Sequence, residues 1–263
     1  MGVAISSPAH LEMELERARV LQHDLIKSYV RLPDLQQRRM VEFAHAIGVP
    51  VATHEIYPAA FVGVDGIEHT AGTSRRGYSP KIATLQRSYA DVAGILGQAG
   101  ASFCPMISSV GLRRLLTLAP ALRDDARFDL YPPWIRMQLR SLREPSFEGG
   151  GAGAMVIDAQ RAGARIVAGT DSPNAVNLHG ELLSYVLAGM TPYQALRTAT
   201  VNAAEALGLD AGSIAPGKLA DLVIVEGNPL EDITHAQRVR HVIANGRLHD
   251  REGLVKGQSS SSH

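Results

Sequence analysis

Apolar side chains recur along this chain in two rhythms. Over residues 9–22 they fall at Leu11, Met13, Leu15, Ala18 and Leu21, the spacing of a helix with one buried face. Asp34 reads as the N-cap of a second helix that runs to about Ile47 and closes at Gly48. Short apolar runs of strand length occupy 24–30, 49–54, 63–69, 101–105 and 163–171. A short helix near Tyr57-Pro58, a longer one over 80–99, and two more near 179–188 and 192–206 separate or follow them. Strands alternating with helices predict a parallel α/β sheet, because each parallel pair needs a crossover of about a dozen residues or more.

From about residue 210 the rhythm changes. Residues 220–226 and 238–248 read as strands, with Gly227-Asn228-Pro229 supplying loop chemistry between them, and together they predict a small β appendage. Residues 106–162 form a long connection that holds a Tyr131-Pro-Pro-Trp134 cluster and glycines over 149–153. Such a segment is either a lid over a site or an added helical hairpin. The serine-rich end, 251–263, reads as a flexible tail. The predicted organisation is therefore an α/β unit over 1–208, a β-sandwich remnant over 209–250, and that tail.

Composition narrows the function classes. Hydrophobic residues at 45% and charged residues at 20% describe a folded globular chain, not a disordered or collagen-like one. Lys+Arg 26 against Asp+Glu 26 leaves no net field to hold a polyphosphate backbone, so no nucleic-acid partner is expected. No apolar run reaches the length of a membrane span, and no membrane partner is expected either. Cys104 is the one cysteine, which excludes an internal disulfide and a Cys-based zinc site. Residues 212–218 imitate a phosphate-binding loop, but Leu219 stands where Ser or Thr is required and a strand follows where a helix should. Neither a Gly-x-Ser-x-Gly elbow nor a Ser-x-x-Lys signature occurs, so a serine hydrolase has no anchor. The compartment stays open.

Four strand ends carry the chemistry. Lys27, His54, His69 and Asp171 sit at or near the C-terminal ends of four predicted strands. Counting back in twos, 25/27/29, 50/52/54, 65/67/69 and 167/169/171 share one face. In a (β/α) barrel all four side chains would converge on the C-terminal rim, where such barrels keep their active sites. Two imidazoles and a carboxylate suit a Zn²⁺-like ion. Each residue has a plainer reading alone: a strand-end histidine is often structural, Asp171 can cap the helix that follows, and Lys27 can be a solvated edge residue. Four together at matching strand ends are harder to dismiss.

In order, Asp24-Leu-Ile-Lys27, Val51-Ala-Thr-His54-Glu, Gly66-Ile-Glu-His69, Gly169-Thr-Asp171-Ser, the 190–200 segment Met-Thr-Pro-Tyr-Gln-Ala-Leu-Arg-Thr-Ala-Thr and Gly217-Lys-Leu-Ala-Asp-Leu-Val-Ile-Val225 resemble the amidohydrolase superfamily of metal-dependent hydrolases, nearest its imidazolonepropionase-like and dipeptidase-like branch. The resemblance implies a metal-dependent hydrolase of amide, peptide or ester bonds in small molecules. It further implies that Lys27, carbamylated in many members, bridges metals, that His54 and His69 bind the second metal, and that Asp171 binds the first and acts as general base. Tyr29 becomes a candidate hydrogen-bond donor to the substrate carbonyl, or a packing tyrosine. His179 orients Asp171, touches substrate or caps a helix end; Arg75 and Arg76 either clamp a substrate carboxylate or belong to a solvated loop.

One departure matters. The family's His-x-His pair on the first barrel strand occurs nowhere in this chain. Aligned by order, 24–30 corresponds to strand four, so the expected fold is a partial (β/α)8 TIM-type barrel, strands four to eight, with a small C-terminal β appendage. A full barrel of typically about 250 residues uses about 30 per unit, so the expectation is the C-terminal part of a larger protein. Open strand edges then predict a homo-oligomer or a complementing N-terminal chain. The loss of His-x-His predicts at most one well-held divalent metal, zinc by preference, per chain. The other reading is a catalytically silent barrel piece that acts only by associating with itself or with a complementing chain.

Overall fold

The structure, a computed structural model, describes residues 3–29, 32–70, 82, 87–142, 150–172 and 175–249. In chain order the elements are α1 (Pro8–Val20), β1 (Ile26–Ser28), α2 (Asp34–Ala46), β2 (Val51–Thr53), α3 (Ala59–Val62), β3 (Gly66–Glu68), α4 (Ala90–Gln98) and β4 (Ser102–Cys104). Then come α5 (Ser108–Leu118), two 3₁₀ stretches (Pro120–Asp124 and Ala126–Leu130), α6 (Pro133–Ser141), α7 (Gly150–Arg161), β5 (Arg165–Ile166) and α8 (Val176–Ala188). The chain continues through α9 (Pro192–Thr198), α10 (Val201–Ala206), β6 (Leu222–Val225), a 3₁₀ stretch at Ile233–Gln237, β7 (Val239–Ala244) and β8 (Arg247–His249). No helix among the described residues is long and apolar enough to cross a membrane.

The contacts group these elements into two units, Met1–Met106 with Gly150–Val167, and Ile107–Gly149 with Ala168–His263. The first holds a five-stranded parallel sheet in the order β1-β2-β3-β4-β5, as the alternating pattern predicts. Ser28, Thr53, Ile67, Phe103 and Ile166 stand side by side in register along one row, and all are buried. The helices supply their cover: Leu11 and Leu15 of α1, Met40 and Val41 of α2, Leu96 of α4, Met155 and Val156 of α7 are buried too. Burial of each such side chain is worth about 1.5–3 kcal/mol. Polar ties fix the sheet ends. The Gln37 amide donates to Ser28 Oγ at 3.0 Å, joining α2 to β1. The Val51 N–H donates to Asp65 Oδ2 at 2.7 Å, and the same oxygen meets His45 Nε2 at 2.9 Å.

The second unit is built on α5 and α8. Ser184 Oγ donates to the Ile107 carbonyl and accepts the Gly111 N–H, both at 2.9 Å, while the Glu181 carboxylate accepts the Ile107 N–H at 3.0 Å. Thr191 and Gln194 close a reciprocal capping box at the start of α9, satisfying backbone donors that the helix itself leaves open. β6, β7 and β8 form an antiparallel sheet.

Three local expectations change, and the open one over 106–162 is filled in. Asp34 is the first helical residue of α2 and Pro33 takes the cap position without a side-chain bond; the carboxylate instead lies at the positive end of the helix dipole. Among the described residues, the helix expected over 80–99 is seen as α4, with Ile82 and Ser88 in an antiparallel bridge ahead of it. The long connection over 106–162 is mostly helical, in α5, the 3₁₀ stretches, α6 and α7. The 238–248 run is two strands: Asn245 and Gly246 have φ of 49° and 74°, the paired left-handed residues of a tight hairpin turn. The expected tail, 251–263, lies outside the described residues.

Candidate metal centre

The parallel register decides which side chains share the sheet face opposite that buried row. Lys27 is aligned with Ala52, Ala52 with Gly66, and Gly66 with Ser102; one step further along the same face, Glu68 is aligned with Cys104. This corrects the count in twos at the third strand. Ile67 belongs to the buried row, and the residue on the Lys27 face is Glu68, not His69. His69 reaches the site another way. It lies just past β3 with φ of 62°, and its N–H donates to the Cys104 carbonyl at 2.8 Å. A left-handed backbone is costly for a residue with a Cβ and persists where surrounding bonds hold it.

The result is a compact cluster. His54, which follows β2 and is only 8% exposed, has its ring 4.5 Å from that of His69 at an interplanar angle of 72°. The ring of Tyr29 meets that of His54 at 4.7 Å, and Tyr29 is exposed. Glu68 Oε2 lies 2.5 Å from Lys27 Nζ and 3.5 Å from His54 Nε2. One donor atom each from His54, Glu68 and His69 lies within 4.8 Å of the others. Ligands of a tetrahedral zinc, with bonds of about 2.0–2.1 Å, stand roughly 3.3 Å apart, so small side-chain rotations close the set. Two imidazole nitrogens and a carboxylate oxygen are also the donor types that zinc prefers. The residues present fit a divalent ion.

Lys27, His54 and His69 thus lie near one another, and Glu68, which counting from His69 missed, lies with them. Asp171 belongs to the second unit. The strand alternation 167/169/171 does not apply to it, because β5 ends at Ile166 and Asp171 has a left-handed φ of 47° in the turn before α8. Arg75 and Arg76 lie outside the described residues.

His179 is in α8, whose start has no side-chain cap, so capping is not its task. Burial pushes its imidazole pKa down to about 4, and the Arg127 guanidinium pushes the same way. Its Nδ1 is buried with no hydrogen-bond partner among the described residues. The unfolded chain, with an ordinary histidine near 6.5, binds a proton over a pH range where the folded one does not. Stability from this residue is therefore complete above about pH 6.5 and falls as pH drops toward 4, by up to about 1.4 kcal/mol per pH unit. Urea unfolding followed from pH 7.5 to 4.5 should show that slope, and His179→Gln should flatten it; an equal slope in both proteins would refute the assignment.

Known proteins agree with this architecture. Residues 150–249 match the model of the amidohydrolase family. The adenine deaminase of Methanosphaera stadtmanae is 48% identical over 58 residues, which cover 22% of this chain and 10% of that enzyme. The imidazolonepropionase of Deinococcus deserti is 39% identical over 89 residues, covering 32% of this chain and 22% of that one. The crystal structure of a Xaa-Pro dipeptidase with methionine bound in its active site superposes with a TM-score of 0.66 at 23% identity, over 94% of this chain and 59% of the dipeptidase. The chain thus spans about three-fifths of that structure and far less of the curated relatives. The family match thus rests on residues 150–249, and the likeness to the dipeptidase structure is one of fold.

Proposed function

We propose that the protein is a metal-dependent hydrolase that uses an activated water to cleave a carbon–nitrogen or ester bond in a small molecule. The observation that carries this reading is the cluster of His54, Glu68 and His69, with donor atoms within 4.8 Å, beside Lys27 on one sheet face. A divalent ion held there, zinc by donor preference, supplies Lewis acidity that lowers the pKa of bound water and polarises a carbonyl. The side chains do the rest. Asp171 takes the water's proton and returns it to the leaving nitrogen or oxygen, an assignment that rests on the family resemblance of Gly169-Thr-Asp171-Ser172. Tyr29, exposed beside His54, donates its phenolic hydrogen to the carbonyl oxygen as negative charge builds there. In the same reading Arg75 and Arg76 hold a carboxylate of the substrate and His179, kept neutral by burial, touches substrate. The five strands correspond, in this reading, to strands four to eight of a (β/α)8 barrel, supported by their unbroken sequential order.

The relatives named as a deaminase and a dipeptidase both separate carbon from nitrogen, which favours an amide-type bond over an ester. The test is a panel of Xaa-Pro dipeptides, N-acyl amino acids, adenine and p-nitrophenyl acetate, assayed with and without 1,10-phenanthroline. One nitrogen-linked class should be hydrolysed, and the activity should vanish with chelator and return with added Zn²⁺ or Co²⁺. Hydrolysis indifferent both to chelator and to Asp171→Ala would overturn the proposal.

A further inference from the structure

We infer that the second unit holds a binding site for a free apolar α-amino acid, in the cavity between α5, α8 and the 3₁₀ stretch at Ile233–Gln237. The site shares no residue with the cluster of His54, Glu68 and His69, so it stands or falls apart from the hydrolase reading. Three observations carry it.

The first is the cavity itself. Its volume is about 410 Å³, within the roughly 300–1,000 Å³ of small-molecule sites. Leu115 of α5, Leu183 of α8 and Ile233 give it a buried apolar base, and Leu118, 55% exposed, lies at its open side. An apolar wall left partly open to water favours a hydrocarbon side chain, which leaves solvent as it docks.

The second is a buried amide. Gln237 lines the cavity and is only 9% exposed. Its Oε1 accepts from Arg127 Nη2 at 3.3 Å and its main-chain carbonyl from Arg127 Nη1 at 3.2 Å, which fixes the amide's orientation. The other end of that amide, Nε2, has no hydrogen-bond partner among the described residues. A donor on a side chain so far withdrawn from water gains most from an acceptor inside the cavity, such as a carboxylate oxygen.

The third is charge. Glu231 and Arg238 flank the 3₁₀ stretch, line the same cavity and are exposed. Neither side chain makes a hydrogen bond or an ion pair among the described residues. Asp232 is different: the Thr234 N–H and hydroxyl both donate to its Oδ1, at 2.9 and 2.7 Å. The rim thus offers one uncommitted anion and one uncommitted guanidinium, the complement of an ammonium and a carboxylate on one apolar body. The Arg238 fork and Gln237 Nε2 take the carboxylate, Glu231 takes the ammonium, and the side chain rests against the leucines. A fatty acid or an alkylamine would use only one of the two charges.

The experiment uses the full chain. L-Leucine, glycine, 4-methylpentanoate (no ammonium) and 3-methylbutylamine (no carboxylate) are titrated by calorimetry into wild type, Arg238→Gln, Glu231→Gln, Leu118→Trp and His54→Ala. Leucine should bind wild type and His54→Ala with the same affinity. Each of the other three variants should weaken it at least about tenfold, through a lost charge-assisted hydrogen bond or a filled cavity mouth. On wild type, glycine and both single-charge analogues should bind at least about tenfold more weakly than leucine. No leucine binding to wild type overturns the inference, and so does 4-methylpentanoate or glycine that binds as tightly as leucine. Leucine binding that disappears in His54→Ala but survives in Arg238→Gln puts the amino acid at the metal cluster and overturns it as well. Should a variant fail to fold, the three analogues on wild type and the remaining variants decide.

Discussion

Alanine in place of His54 should abolish both metal retention and turnover. His54 touches every other member of the cluster: its ring packs on His69 and Tyr29, and its Nε2 lies 3.5 Å from Glu68. Its removal takes one of three close donors and leaves two, too few to hold a zinc-like ion in a defined geometry. We expect kcat/KM to fall by about 10³-fold or more, the scale on which the ion's Lewis acidity is lost, with the bound metal gone by elemental analysis. His45→Ala is the matched control. His45 pairs with Asp65 at 2.9 Å ahead of β2, at the opposite end of the strands, and its loss should leave activity within about twofold. A His54→Ala protein that keeps stoichiometric metal would refute the centre. Thermal unfolding of the metal-free forms separates lost chemistry from a lost fold, since His54 is buried and its truncation leaves a cavity.

A single methyl group at the α5–α8 contact should cost the second unit about 3 kcal/mol or more. A Cβ built on Gly180 would lie 2.7 Å from Leu112 N and 2.8 Å from Leu112 Cα, and one on Gly111 would lie 1.9 Å from the Gly180 carbonyl oxygen. These neighbours are backbone, so no side chain can rotate away. The helices must separate, and the bonds from Ser184 to Ile107 and Gly111 stretch as they do. Gly208→Ala makes the comparison. Nothing stands within 4 Å of a Cβ there, so only its left-handed φ of 65° is strained, for about 1–2 kcal/mol. Urea unfolding of the three proteins checks the order; a Gly180→Ala midpoint equal to that of Gly208→Ala would show that the close approach carries no weight.

Much of the site could be read along the chain. Lys27, His54 and His69 stand out because each closes a short apolar run, and runs of that kind with helices between them dictate a parallel sheet. Glu68 was visible too, next to a proposed ligand, yet alternation anchored on His69 assigned it to the wrong face. The error is instructive. Alternation holds only while a residue remains in the strand, and His69 has left it. The same limit applies to Asp171, which the run over 163–171 places in a strand but which follows the end of β5 in a left-handed turn.

Sequence by itself determined the alternation of short strands with helices, the parallel sense of the sheet and the donor types offered near three strand ends, because these depend on local periodicity and on residue chemistry. Tertiary structure alone decided the register that aligns Lys27 with Ala52 and Gly66, the entry of Glu68 between lysine and imidazole, and the turn of His69 back toward His54. Those features depend on hydrogen bonds between strands distant in the chain. The Cys104 carbonyl that holds the His69 N–H and the Pro105 carbonyl that holds the Thr70 N–H come from β4 and the residue after it. No pattern within residues 63–69 encodes where that neighbouring strand will lie.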